Sequence, residues 1–144
     1  MTSCFQGGKF DKVRLLIMRE RRPFEHKLFQ IIFRDFLFLQ QLTIFNRQPQ
    51  ENKQHHSSTL IRFNHLFKLN IINAHSDYAT QFFSDKNTCL PSLTHLIIEY
   101  KTLTTVTNDF TNDRTRLNCS KIKLLLTCEP LVRSPNFDSY FPSL

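Results

Sequence analysis

Four cysteines and six histidines are the residues of this chain best equipped for metal or nucleophilic chemistry. Their spacing does not assemble either. Cys4, Cys89, Cys119 and Cys128 form no Cys-x-x-Cys, and no His lies at zinc-ligand distance from them. His55-His56 sit in a wholly polar stretch and read as solvent-exposed. Cys89 and Cys119 fall at or beside apolar positions, so each reads as a small buried hydrophobe, with a reactive nucleophile as the alternative. There is no phosphate loop, no Gly-x-Ser-x-Gly and no His-Glu-x-x-His. The expectation is a non-enzyme with no catalytic residue, no cofactor and no metal.

Charge is the second chemical feature. The formal net charge is +7, and residues 1–72 carry all of it, with twelve Lys/Arg against five Asp/Glu. A basic half suits an anionic partner such as nucleic acid, and Arg19, Arg21, Arg22, Lys27 and Arg34 are its candidates. No aromatic-basic interleaving of a known nucleic-acid module accompanies them. The simpler reading is a solvated basic surface. No segment approaches the ~20 apolar residues of a membrane helix. The N-terminus lacks the apolar run of a signal peptide. A cytoplasmic or nuclear protein with reduced cysteines is expected.

The elements that would position these residues repeat. Leu39, Leu66 and Leu93 are spaced evenly, and Leu42, Leu69 and Leu96, then Ile44, Ile71 and Ile98, follow at the same interval. An apolar residue stands three positions earlier each time: Phe36, Phe63 and Leu90. The unit is apolar-x-x-Leu-x-x-Leu-x-Ile. Phe10, Val13, Leu16 and Met18 extend it upstream, and Cys119, Ile122, Leu125 and Thr127 extend it downstream. At both ends a competing register exists, because 15–18 and 124–126 are apolar on both parities.

This unit resembles the leucine-rich repeat, Leu-x-x-Leu-x-Leu-x-x-Asn/Cys, over residues 10–128. Its irregular, Phe-rich form resembles the repeat region of F-box proteins. The chain has no Trp and no Leu-Pro-led helical segment ahead of the repeats, so the F-box itself is absent from the resemblance. Asn46 and Asn73 fall two residues after the last Ile, where the family places its Asn three after. The resemblance implies an α/β solenoid of about five repeats. Such a solenoid is a right-handed horseshoe with parallel strands on the concave face and helices or loops on the convex face. The implied organisation is an N-terminal extension (1–9), a repeat domain (10–128) and a C-terminal tail or cap (129–144).

Strand parity points Leu-x-Ile pairs to one face. The residues between them then form the opposite face. Gln41, Lys68 and His95 make one ladder; Thr43, Asn70 and Ile97 a second; Phe45, Ile72 and Glu99 a third. Polar side chains beside Phe45 and Ile72 suit a protein-binding surface, unless a loop or the tail covers those two. The expected function is non-catalytic recognition of a protein partner, by a monomer or one component of a larger complex. By the F-box resemblance it would be the substrate-binding part of a ubiquitin ligase receptor. The alternatives are the anionic partner above, or a truncated fragment without function.

Between the strands, 22–36 predicts a helix with Pro23 in its first turn and Phe24, Leu28, Ile31 and Ile32 inward. Residues 76–86 predict a second, N-capped by Ser76 or Asp77, with Tyr78, Phe82 and Phe83 inward. Residues 108–117 predict a third, with Phe110 and Leu117 inward. Residues 46–58 contain no apolar side chain and predict a surface loop. The tail after 128 either caps the last repeat or stays without structure.

Overall fold

Short apolar-alternating segments separated by more than twenty residues cannot pair as hairpins, so each must cross over and return parallel. The computed structural model, which describes residues 10–51 and 59–144, has that arrangement. Strands β1 (Leu15–Arg19), β2 (Gln41–Asn46), β4 (Lys68–Ala74), β6 (His95–Ile97) and β7 (Leu124–Leu126) form one sheet, each pairing parallel to the next. Strands β3 (Ile61–Arg62) and β5 (Thr88–Cys89) form a second, two-stranded parallel sheet. Five helices complete a mixed α/β fold among the described residues: α1 (His26–Asp35), α2 (Ser76–Phe83), α3 (Tyr100–Val106), α4 (Asp113–Cys119) and α5 (Phe137–Tyr140).

One row of side chains crosses the whole sheet: Leu16, Leu42, Leu69, Leu96 and Leu125 are register partners in turn. The two ambiguous ends are thereby decided. Leu16 and Met18 face inward while Leu15 and Ile17 are exposed, and Leu125 packs inward while Leu124 and Leu126 are exposed. The inner face is buried. Leu42, Ile44, Leu69, Ile71, Leu96 and Ile98 are all buried, in one continuous core that also holds Phe29 and Ile32 of α1 and Tyr78, Phe82 and Phe83 of α2. Each such side chain contributes roughly 1.5–3 kcal/mol relative to exposure.

The helices depart from expectation in instructive ways. α1 starts at His26, with Glu25 as N-cap, so Pro23 precedes the helix instead of occupying its first turn. Its inward stripe is Phe29 and Ile32, one position on from Leu28; Leu28 and Ile31 are only partly covered. Polar His26 completes the stripe because it has partners: its ring meets Thr59 O at 3.0 Å and Gln81 Nε2 at 2.8 Å. α2 ends at Phe83, and its cap is His75, whose Nδ1 accepts from Asp77 N–H at 3.0 Å, displacing both expected caps.

The predicted 108–117 helix is instead split. α3, unforeseen, ends at Val106, and α4 begins only at Asp113. Between them Asn108, Asp109 and Phe110 all take positive φ. The Phe110 ring is buried as expected, but Leu117 is 67% exposed, because the later helix start rotates it outward. The expected surface loop is partly internal. Gln50 is buried and donates to Phe24 O and Gln81 Oε1, both at 3.1 Å. Residues 1–9 with Cys4, and 52–58 with His55 and His56, lie outside the described residues. In the tail, Phe137, Tyr140 and Phe141 pack into the core.

Candidate functional site

The side chains opposite the core form the only extended row of functional candidates named from sequence. Gln41, Thr43 and Phe45 on β2, Lys68, Asn70 and Ile72 on β4, and His95 and Ile97 on β6 are each partly exposed, alternating with buried neighbours. Two of the three ladders are continuous. Gln41, Lys68 and His95 are register partners, as are Thr43, Asn70 and Ile97.

The third ladder is broken. Phe45 pairs with Asn73, not Ile72, because β4 slips by one residue after Asn70. The Ile72 N–H is taken by Asn70 Oδ1 at 3.2 Å, and this side chain-to-backbone turn accommodates the bulge. Glu99 lies past the end of β6, as the N-cap residue of α3. The slip also settles the asparagines. Asn46 is buried, donating to Arg22 O at 2.7 Å and accepting from Gln48 N–H at 2.9 Å, while its register partner is Ala74 and Asn73 is exposed. No asparagine ladder links these two strands.

Parity on the outer strands adds residues that the sequence reading left out. Leu15 (52% exposed) and Ile17 (49%) share the outer face through their pairing with Gln41 and Thr43. Leu124 (42%) and Leu126 (48%) do so through His95 and Ile97. Their signal was present in the upstream and downstream steps of the repeat, which place Leu16 and Leu125 inward and hence their neighbours outward.

Two arginines frame the carboxyl ends of β1, β2 and β4. The Arg19 guanidinium lies over the Phe45 ring, 4.4 Å from its centroid. Arg47 Nη1 donates to Glu99 Oε1 at 2.7 Å, and Nη2 reaches Ile72 O and Asn73 Oδ1 at 3.4 Å. Arg19, Phe45, Asn46, Arg47 and Asn73 line an open cleft of about 440 Å³. Among the described residues no hydrogen bond joins the tail to β2 or β4. Its bonds run to α3 and α4: Glu129 Oε1 accepts from Tyr100 N–H at 2.6 Å, Tyr100 Oη donates to Val132 O, and Arg116 Nη1 donates to Ser139 O at 3.4 Å. His95 is held by Thr94 Oγ1 at 2.8 Å and meets the Phe67 ring edge-on.

The basic candidates do not converge. Arg19 lies on the outer face, whereas Lys27 and Arg34 sit on α1, whose Phe29 and Ile32 pack on the inner side. Arg34 is bidentate to Asp35, at 2.9 and 3.2 Å, and this hydrogen bond raises its pKa. Arg21 and Arg22 are exposed. The cysteines also separate. Burial pushes the Cys119 thiol up to about 12, while Cys89 is half-covered and accepts from Arg62 Nη1 at 3.4 Å, and Cys128 is exposed. Among the described residues no group of three His, Cys, Asp or Glu stands close enough to hold a metal ion. No helix among them is long and apolar enough to cross a membrane.

No family model, curated protein or solved structure matches this chain.

Proposed function

We propose that this chain is a solenoid of the leucine-rich-repeat kind whose outer sheet face is concave and recognises another protein without catalysis. The carrying observation is the row of partly exposed side chains across five parallel strands, polar in one ladder and mixed in the next, with large apolar groups exposed at both edges. Apolar anchors beside polar groups are what a protein interface requires. The spacing of the buried rows supports the repeat reading, because strand pairing follows the intervals at which Leu16, Leu42, Leu69, Leu96 and Leu125 recur. By the F-box resemblance, the partner would be a substrate presented to a cullin-type ubiquitin ligase.

The test is site-specific photocrosslinking in cells. A photoreactive residue at Asn70 or Ile97 should trap a protein partner that the same group at Lys27 or Arg114, on the helical side, does not. The Phe45→Ala/Ile72→Ala double variant should then lower affinity for that purified partner by about 2 kcal/mol with its melting temperature little changed. Crosslinks from the helical side alone, or full affinity in the double variant, would exclude the outer face.

A further inference from the structure

We propose that the cleft at the carboxyl ends of β1, β2 and β4 takes a carboxylate side chain from an acidic peptide segment of the partner, with Arg19 as its receptor. The inference rests on the protein-recognition reading and specifies the chemistry of what is recognised. Arg19 is exposed, and its guanidinium has no hydrogen-bond or ion-pair partner among the described residues; its contact is the Phe45 ring. A guanidinium held over an aromatic ring keeps its planar fork of donors and gives up less freedom when a carboxylate docks bidentately. Arg47 occupies the far wall, but its charge is already matched by Glu99 at 2.7 Å. Arg19 therefore carries the uncompensated charge of the cleft. Lys68 shares the outer face but stands at its other end, in the row of Leu15 and Gln41, so it adds positive charge to the face and not to the cleft.

The surroundings select a peptide over a nucleic acid. Phosphate chains need several uncompensated cations in a track. Here Arg34 is committed to Asp35 and lies on α1, across the core from the outer face, and Arg47 is committed to Glu99. Only Arg21 and Arg22, exposed just past the end of β1, adjoin Arg19, a short cluster at one edge and not a track across the face. Stacked bases need an open aromatic face. Arg19 already covers one face of Phe45, and the Phe67 ring is engaged edge-on by His95. Exposed Ile17 lies on the same strand, two residues before Arg19, and Ile97 extends its row through Thr43 and Asn70. A segment with Asp or Glu beside an apolar residue matches both features.

The experiment is selection of a randomised displayed peptide library against the whole chain, followed by affinity measurement on the enriched peptides. The expected result is enrichment of Asp or Glu next to an apolar residue. Changing that acid to Asn or Gln should weaken binding about tenfold. Arg19→Ala should cause the same loss, and the two losses should not add. Arg19→Lys should restore only part of it, Lys86→Ala should change nothing, and the melting temperature of Arg19→Ala should match wild type. Salt should weaken the peptide only shallowly, as for a single ion pair. Enriched peptides without an acid, or acid-dependent binding that ignores Arg19→Ala, would overturn the inference. So would a selection with no binder, or a single-stranded oligonucleotide that binds more tightly with a steep salt dependence. Apolar peptides lost on Ile72→Ala but not on Arg19→Ala would overturn it while leaving outer-face recognition standing. Binders indifferent to every outer-face substitution would overturn both.

Discussion

Towards the C-terminus the core is closed by four buried rings, Phe110, Phe137, Tyr140 and Phe141, while at the β1 edge the last described ring, Phe10, stacks on Phe36 at 4.7 Å and remains 40% exposed. The C-terminal rings meet mostly edge to face, with centroids 4.9–5.7 Å apart. Tyr140 Oη is bonded to Thr115 Oγ1, and burial raises its pKa. The tail thus seals the inner side of its end with directional contacts, whereas the described residues at the β1 edge supply one part-exposed ring, Phe10. On the outer face the two ends are alike, with Leu15 and Ile17 exposed at one and Leu124 and Leu126 at the other.

That seal has a cost. Left-handed backbone costs roughly 1–2 kcal/mol per non-glycine residue, less for Asn and Asp. Asn108, Asp109 and Phe110 adopt it in succession. Thr107 organises the turn, donating to Leu103 O at 2.7 Å and accepting from Phe110 N–H at 3.1 Å. Burying the Phe110 ring returns about 1.5–3 kcal/mol, and each ring pair adds about 0.5–1.5 kcal/mol. The aromatic contacts outweigh the strain. An end can therefore be stabilised by one expensive turn, provided enough surface converges on it.

The largest expected effect lies between the two ends. Leu69 is fully buried at the centre of the shared row, and Leu69→Asp would place an unpaired charge there, costing several kcal/mol. Chemical denaturation should show loss of the cooperative fold. If the C-terminal rings melt separately, seen as a second transition, the ends are independent and the comparison fails. Thr43→Asp, on the outer parity, should change stability by well under about 1 kcal/mol.

Next comes the direct contrast. Phe110→Ala should cost about 3–5 kcal/mol, as truncation of a buried ring does. Phe10→Ala should cost under about 1 kcal/mol, since that ring is already part-exposed. Equal costs by thermal denaturation would mean that the β1 edge is sealed as firmly as the tail. A finer measure is hydrogen exchange. Amides of β4, which is paired on both sides, should exchange at least about tenfold more slowly than those of β1.

The smallest effects are chemical. At pH 8, iodoacetamide should label exposed Cys128 readily and leave buried Cys119 unmodified until the protein unfolds. Burial raises the Cys119 thiol from 9.0 to about 12 and the Tyr78 phenol from 10.0 to about 12. A raised pKa favours the protonated form in the fold. Stability from these groups is complete below pH 9 and declines as pH climbs towards 12. A melting temperature that stays flat over pH 9–11 would contradict this.

Sequence alone determined the inner and outer faces of the three central strands. Leu and Ile at a repeating interval cannot bury themselves locally, so the pattern dictates which side chains face inward and, by parity, which face outward. The central inner rows and the outward Gln41, Thr43, Lys68, Asn70, His95 and Ile97 were legible on that ground, and a helix expected over 76–86 forms over 76–83. At β1 and β7, apolar on both parities, pairing chose the register. Tertiary structure decided what depends on a partner distant in the chain. His26 and Gln50 are polar, and nothing local marks them as internal; they are buried because Gln81, Thr59 and Phe24 supply their hydrogen bonds. His75 caps α2 through a ring nitrogen that cap statistics do not favour. The slip that puts Asn73 beside Phe45 depends on Asn70 bonding the freed Ile72 N–H, which period counting cannot see. Arg19 was visible only as one more positive charge. Its place over Phe45 follows from strand register across 26 residues, and no local pattern encodes that contact.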